Sequence, residues 1–258
     1  MPLKNYLKLA ESIKNWPLYF RKKFQDALYI TRGAELEMEV PRNFFYVFKE
    51  IFMEDFYSID DLLKHIPEAP TIVDVGGNVG YFSFLIASKR KEAKVFAYEP
   101  MSDNIKIFQS NIHRNKNLEE RINLKQKAVT GTEQPSVSLF FDEKDHNTVI
   151  ASVYPEFSNA NKKEIRMEAV SLSKIIEENE LNRIDLLKMD CEGSEYPILY
   201  ESPAGIWPFI QCLAIEVHEL DNGTRNFSYL SSFIKDKGFE IKSRLDPNSC
   251  HYLMAFRN

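Results

Sequence analysis

From Thr71 onward the chain alternates short apolar runs with helix-length segments, and that rhythm restricts the fold more than any other feature. Thr71-Ile-Val-Asp-Val75 reads as a buried strand, Tyr81 to Lys89 as a helix and Lys94 to Tyr98 as a strand. Ser102 to Arg114 follows as a helix and Ile122 to Val129 as a third strand. A helix around Leu172 to Asn179 then precedes two more apolar strands, Ile184 to Met189 and Gln211 to Val217. Such alternation implies an α/β fold with a parallel sheet and helices on both faces, because parallel neighbours need a long crossover and a helix supplies it. The ending differs. Phe239 to Ser243 and His251 to Phe256 flank Asp246-Pro-Asn-Ser249, so an antiparallel hairpin is expected to close the sheet at one edge.

The segment before Thr71 has another character. Residues 1–32 hold seven basic side chains against two acidic ones, whereas the rest of the chain carries a net −10. Tyr6, Trp16, Tyr19, Phe20, Phe24 and Tyr29 interleave with those cations. That pattern suits an amphipathic surface for a membrane or partner, or a helix pair packed on the domain with its lysines in solvent. Glu35-Leu-Glu-Met-Glu-Val40 alternates with period two and predicts a half-buried strand. Phe44, Val47, Phe48, Ile51 and Phe52 then fall at helical spacing, with Asn43 placed to cap. Pro67 and Pro70 mark the boundary between an extension over 1–69 and an α/β domain over 70–258. Later, Phe140 to Lys163 forms a long irregular polar stretch, expected to fold over the site as a lid, with His146, Asn147 and Tyr154 as its candidate contacts.

Composition serves to exclude. A net charge of −5 disfavours a nucleic-acid binder, which needs a basic surplus against phosphates. No apolar run approaches the ~20 residues of a membrane span, and Tyr6 to Ala10 is too short and too charged for a signal peptide. Cys191, Cys212 and Cys250 are odd in number and widely spaced, which fits free thiols and a cytoplasmic location.

Asp74-Val-Gly-Gly-Asn-Val-Gly80 lies at the carboxyl end of the first strand, where open α/β sheets bind ligands. Gly76 and Gly77 permit a tight turn and close backbone approach, and Gly80 permits the helix to pack on the strand. The pattern is not the pyrophosphate loop of a nicotinamide dehydrogenase, and no phosphate-binding lysine follows it. Glu99, in Tyr98-Glu-Pro100, ends the second strand, where a carboxylate accepts hydrogen bonds from both hydroxyls of an adenosyl ribose. Asp74 itself has a structural alternative, bonding the loop amides.

These residues resemble the FkbM family of S-adenosylmethionine-dependent methyltransferases. The matching pieces are Asp74 to Ser83, Tyr98-Glu-Pro100, Lys188-Met-Asp-Cys-Glu-Gly-Ser-Glu195 and Ile215-Glu-Val-His218. Gly77, Cys191 and Ser194 depart from the family's usual residues, and residues 1–32 lie outside the resemblance. The resemblance implies a Rossmann-like class I methyltransferase sheet and methyl transfer, usually to a hydroxyl oxygen of a sugar, glycan or natural product. The expected cofactor-binding residues are Asp74, Gly76, Gly77, Asn78, Gly80, Glu99, Ala128 and Asp190.

Across the cleft, Asp190 and Glu192 follow the fourth strand, while Glu216 and His218 end the fifth. Asp190, Glu192 and His218 are the candidate catalytic residues. His218 is the expected general base for the acceptor hydroxyl, and Asp190 would orient that hydroxyl or the methionine part of the cofactor. A second mechanism has Mg²⁺ held by Asp190 and Glu192 with Glu216 or His218. For Glu216 a structural alternative stands equal: a buried ion pair with Lys188. Glu195 is expected to favour the dipole of the next helix. The competing function is a non-catalytic adenosyl-binding module that serves as a partner subunit. An amino-methylating nucleic-acid enzyme is disfavoured, since Asp190-Cys-Glu-Gly193 replaces its Pro-Pro-aromatic run.

Overall fold

A computed structural model describes residues 3–22, 25–142, 151–245 and 250–257 of the chain. Helices α1 (Leu3–Ser12) and α2 (Leu18–Lys22) lead into an antiparallel pair, β1 (Ala27–Ile30) and β2 (Glu37–Val40). Leu9, Ile13, Tyr19 and Tyr29 are buried, so the helix pair packs on the domain. Next come α3 (Phe45–Phe52) and α4 (Ile59–Leu62). Asn43 does not cap α3, because it falls inside a 3-10 turn over Arg42–Phe44 that runs straight into the helix.

The central sheet follows in chain order. Strand β3 (Thr71–Val75), helix α5 (Tyr81–Lys89), strand β4 (Lys94–Tyr98), helices α6 (Ser102–Arg114) and α7 (Lys116–Glu119) and strand β5 (Ile122–Lys125) build one half. A second, four-stranded sheet then intervenes: β6 (Ala128–Thr130), β7 (Ser136–Phe141), β8 (Ala151–Ser152) and β9 (Lys163–Ser171). Helix α8 (Leu172–Glu178), β10 (Leu186–Met189), α9 (Glu195–Glu201), β11 (Cys212–Val217), α10 (Phe227–Asp236), β12 (Glu240–Leu245) and β13 (His251–Phe256) complete the chain.

Strand order in the seven-stranded sheet is β12-β13-β11-β10-β3-β4-β5. The chain leaves β3 in one direction through β4 and β5, then resumes on its other side with β10 and β11. Strands β3 and β10 therefore flank the point where strand order reverses, and the crevice at their carboxyl ends is where such sheets hold ligands. The carboxyl-terminal hairpin is present. Its strand β13 is antiparallel to both β11 and β12, so the single antiparallel strand sits second from the edge.

Both faces of the sheet are covered, which explains why its strands read as continuous apolar runs. Ile72 packs into a cluster with Phe84 of α5 and Phe108 of α6, while Val73 and Val75 join Ile198 of α9 and Leu230 of α10 on the other face. The first cluster also takes in Leu9, Tyr29, Met38 and Phe48, so the segment before Thr71 shares its core with the sheet. The outer edge of β2 is held by two buried amides of α6 and the turn after it. Asn111 Oδ1 accepts from the Glu39 N–H at 2.7 Å, and Asn115 Oδ1 accepts from the Glu37 N–H at 3.0 Å.

Two expectations are corrected. Ile122 to Val129 is not one strand: the chain turns at Gln126–Lys127, leaving β5 in the main sheet and sending β6 to pair with β9. Nor is Phe140 to Lys163 irregular throughout. Strand β7 runs to Phe141 and pairs with β8 and with β9 from Lys163. His146 and Asn147 lie outside the described residues.

Candidate active site

Strand β3 ends in the glycine loop. The N–H groups of Gly76 and Gly77 both donate to the Tyr98 carbonyl at 3.0 Å, so these loop amides are held by the neighbouring strand end and not by Asp74. Gly76 has φ +74° and lies against the Asp190 backbone, and a Cβ there would overlap the Asp190 carbonyl oxygen. Gly80, at φ +93°, faces the Phe108 ring, so it serves the packing of α5 on α6 and not on the strand.

Asp74 is fully buried behind the loop. It accepts from Ser83 Oγ at 2.6 Å and pairs with Lys188 Nζ at 3.1 Å. Lys188 also donates to the Gly76 carbonyl at 2.8 Å and lies 3.9 Å from Asp190 Oδ2. The expected Lys188–Glu216 pair is thus replaced by Lys188–Asp74. Register explains it: Lys188 stands directly beside Asp74 on β3 and beside Ala214 on β11, two residues short of Glu216. Burial alone would depress the lysine, but Asp74 and Asp190 outweigh it and hold it charged.

Glu99 is buried at the end of β4. Its Oε2 accepts from the Asn78 N–H at 2.9 Å, and its Oε1 accepts from the Met101 N–H at 2.9 Å and Asn104 Nδ2 at 3.2 Å. Burial pushes its pKa up to about 7 against those donors. A carboxylate has about four acceptor positions, so capacity for a ligand hydroxyl remains.

A cavity of about 900 Å³, open solvent at its mouth included, runs from Glu99 across the carboxyl ends of β3 and β10. Gly76, Asn78, Glu99, Ala128, Asp190, Glu192 and Glu216 line it, whereas Asp74, Gly77, Gly80 and His218 stand behind its wall. Met101, Ala128, Val129 and Leu139 give one end an apolar surface suited to a flat ring. With an acceptor carboxylate beside that surface, the residues fit an adenosyl ligand.

At the other end, acidic groups crowd around one histidine. His218 Nδ1 lies 3.1 Å from Glu195 Oε1, and its Nε2 lies 3.3 Å from Glu192 Oε2 and 4.0 Å from Glu216 Oε1. Glu195 is fully buried and also accepts from the N–H groups of His218 and Gly193. It is therefore the anchor of His218 as well as the acidic residue in the first turn of α9, and the run Asp190 to Glu195 hid the first role because the partner is 23 residues away. Glu192 takes φ +53°, a left-handed conformation rare outside glycine. Burial would lower the His218 pKa, but Glu195, Glu192 and Glu216 together drive it well above the usual histidine range. Both ring nitrogens of His218 thus face carboxylates, and the ring does not line the cavity. Burial pushes Glu192 and Glu216 up to about 8, with Asp190 adding repulsion to both.

Among the described residues, two groups bring potential metal-ligating atoms within 4.8 Å of one another: Asp190, Glu192 and His218, and Glu216, His218 and Cys250. Both depend on His218, whose two ring nitrogens already face carboxylates, and neither gives the all-oxygen shell that Mg²⁺ prefers. The donor set does not fit that ion.

Tyr154, the remaining candidate in the polar stretch, does not reach the cavity. Its ring carries the Arg225 guanidinium at 4.7 Å, while its neighbours Ala151 and Val153 line the cavity instead.

A doubly wound sheet with a ligand cavity at its reversal point, a glycine loop on one strand and a ribose-ready carboxylate on the next defines a class I methyltransferase. The sequence pattern described as "Methyltransferase FkbM domain" matches residues 74–241, well over half of the chain, and the chain belongs to that family of S-adenosylmethionine-dependent methyltransferases. It is 28% identical over 231 residues to the AMB antimetabolite synthetase AmbE of Pseudomonas aeruginosa, a match that covers 78% of this chain but spans only 11% of that protein's length. It is 23% identical over 232 residues to the 31-O-demethyl-FK506 methyltransferase FkbM of Streptomyces tacrolimicus, covering 78% of this chain and 84% of that protein. The crystal structure of methyltransferase FkbM from Methylobacillus flagellatus KT superposes with a TM-score of 0.51 at 18% identity, over 73% of this chain and 44% of that one. Among the described residues no helix is long and apolar enough to cross a membrane.

Proposed function

We propose that this chain transfers a methyl group to a hydroxyl oxygen of a sugar, glycan or natural product. The observation that carries the reading is one cavity bordered by Glu99 and the glycine loop at one end and by Asp190, Glu192 and Glu216 at the other. The Streptomyces tacrolimicus relative is named as the methyltransferase of a 31-O-demethyl compound, which points the same way. Carboxylates on the acceptor side favour a neutral or cationic acceptor over an anionic one.

S-adenosylmethionine, when bound, supplies an activated methyl on a sulfonium. Glu99 is placed to accept from the ribose hydroxyls, and the loop at Gly76 and Asn78 brings the backbone close to the ligand. Asp190 faces the cavity beside that loop. Glu216 lines the cavity, where the ring of His218 does not, so it is the group suited to take the acceptor's proton; with its pKa raised to about 8, the ionised form that can do so gains population above neutral pH. His218, held by Glu195, faces Glu192 and Glu216 and favours their ionised forms. This route needs no metal.

The test is methyl transfer from radiolabelled S-adenosylmethionine to a panel of hydroxyl acceptors, run with and without EDTA. Labelled product formed at the same rate in EDTA and reduced at least ~100-fold in Glu216→Gln supports the reading. Transfer to amines alone, or none to any acceptor from a protein that binds S-adenosylhomocysteine, would overturn it, the latter in favour of a binding module.

A further inference from the structure

Asp190 borders the cavity, but the chain positions it from a segment that the family pattern does not cover. Tyr57 lies upstream of residue 74 and is 2% exposed. Its hydroxyl donates to Asp190 Oδ2 at 3.3 Å, the same oxygen that Lys188 approaches at 3.9 Å. The two donors reach Oδ2 from the protein side, and Asp190 remains 29% exposed on the cavity wall. The Tyr57 ring is locked edge-on against Phe82 of α5 at 4.8 Å, Phe56 at 5.0 Å and Tyr252 of β13 at 5.6 Å, and Lys188 Nζ stands 5.9 Å from its centre. Packing of this kind leaves the phenol few alternative orientations. Burial, reinforced by Asp190, holds the hydroxyl in its protonated form, so it remains a donor.

We propose that Tyr57 is a positioning residue of the methyltransferase site, turning Asp190 so that its second carboxylate oxygen faces the cationic centre of the methyl donor. The inference rests on the assignment of this cavity to S-adenosylmethionine. A carboxylate fixed in that direction discriminates by charge: it favours the sulfonium of S-adenosylmethionine over the neutral thioether of S-adenosylhomocysteine. The amino and carboxylate groups and the adenosine are common to both ligands, so the ratio of the two affinities isolates the charge at sulfur. Lys188 cannot replace Tyr57 in this, because at 2.8 Å and 3.1 Å it is committed to the Gly76 carbonyl and Asp74.

Calorimetric titration of the whole chain with each ligand reads the effect in wild type, Tyr57→Phe, Asp190→Asn and Tyr252→Phe. Tyr252 is a suitable control because it touches the same aromatic group and its buried hydroxyl has no hydrogen-bond partner among the described residues. The expected result is that Tyr57→Phe lowers the S-adenosylmethionine to S-adenosylhomocysteine affinity ratio at least about threefold with the S-adenosylhomocysteine affinity unchanged. Asp190→Asn should lower the ratio further, and Tyr252→Phe should leave it at the wild-type value. An unchanged ratio in Tyr57→Phe, or an equal loss of both ligands, overturns the positioning role while the cofactor assignment stands. Failure of the wild type to bind either ligand overturns the cofactor assignment, and this inference with it.

Discussion

Single residues at this site are governed by how each buried charge is balanced. Lys188 sits between Asp74 and Asp190 with 4% of its side chain exposed, and Asp74 has none. Lys188→Met would leave Asp74 buried without its counter-ion, at a cost of about 3–5 kcal/mol. Urea unfolding checks this, and a loss under about 1 kcal/mol would show that Asp74 finds another partner. Glu99 makes a prediction about binding. With its pKa raised to about 7, the ionised form that best accepts ribose hydroxyls gains population as pH rises through neutrality. Affinity for S-adenosylhomocysteine should therefore climb about tenfold between about pH 6 and pH 8. Glu99→Gln should bind weakly at both values, and a wild-type affinity flat across that window would mean that Glu99 does not contact the ligand.

Whole elements were the most legible part of the sequence. Strands β3 and β4 and helices α5 and α6 fall where their periodicity placed them, because burial on both faces of a parallel sheet leaves an apolar signature in the residues themselves. Strand β9 escaped notice although Ile165, Met167 and Ala169 alternate with charged residues, since an exposed antiparallel strand resembles a polar loop in composition. The glycine loop, Glu99 and the Asp190 to Glu195 run could be read as a site. Which carboxylate meets which cation could not, because the Lys188–Asp74 and His218–Glu195 pairs are decided by strand register and by a turn at Glu192. The N-terminal helices contribute packing to the domain core. Removing residues 1–32 takes Leu9, Ile13, Tyr19 and Tyr29 out of the shared core, and at about 2–5 kcal/mol for each large apolar side chain the loss is as large as the whole usual stability of a domain. The truncated chain should show no cooperative thermal transition by circular dichroism. A sharp transition near that of the full chain would show that the helices are dispensable.

At the scale of the whole molecule, the folded state binds more protons than the unfolded chain between about pH 5 and pH 8. Burial lifts Glu99 to about 7 and Glu192 and Glu216 to about 8, each from an ordinary value near 4.5, and the surrounding carboxylates hold His218 protonated above its ordinary range. All four shifts are upward, so each contributes stability that is fully present below its unfolded pKa and is lost as pH rises toward its folded one. Exposed ion pairs act in a different window. Asp221, lowered to about 2 by Arg225, contributes above its unfolded value and loses that contribution only in acid. Stability of the ligand-free protein should therefore peak near about pH 5 and decline toward pH 8, with the melting temperature falling in step. Glu216→Gln removes one of the groups that resists ionisation, so its melting temperature should decline less steeply and lie above wild type at about pH 8. Saturating S-adenosylmethionine, which brings a positive sulfonium to the same carboxylates, should flatten the wild-type decline in the same way. A ligand-free melting temperature that holds constant or rises over this interval would mean that the carboxylates around His218 ionise as freely in the folded protein as in water.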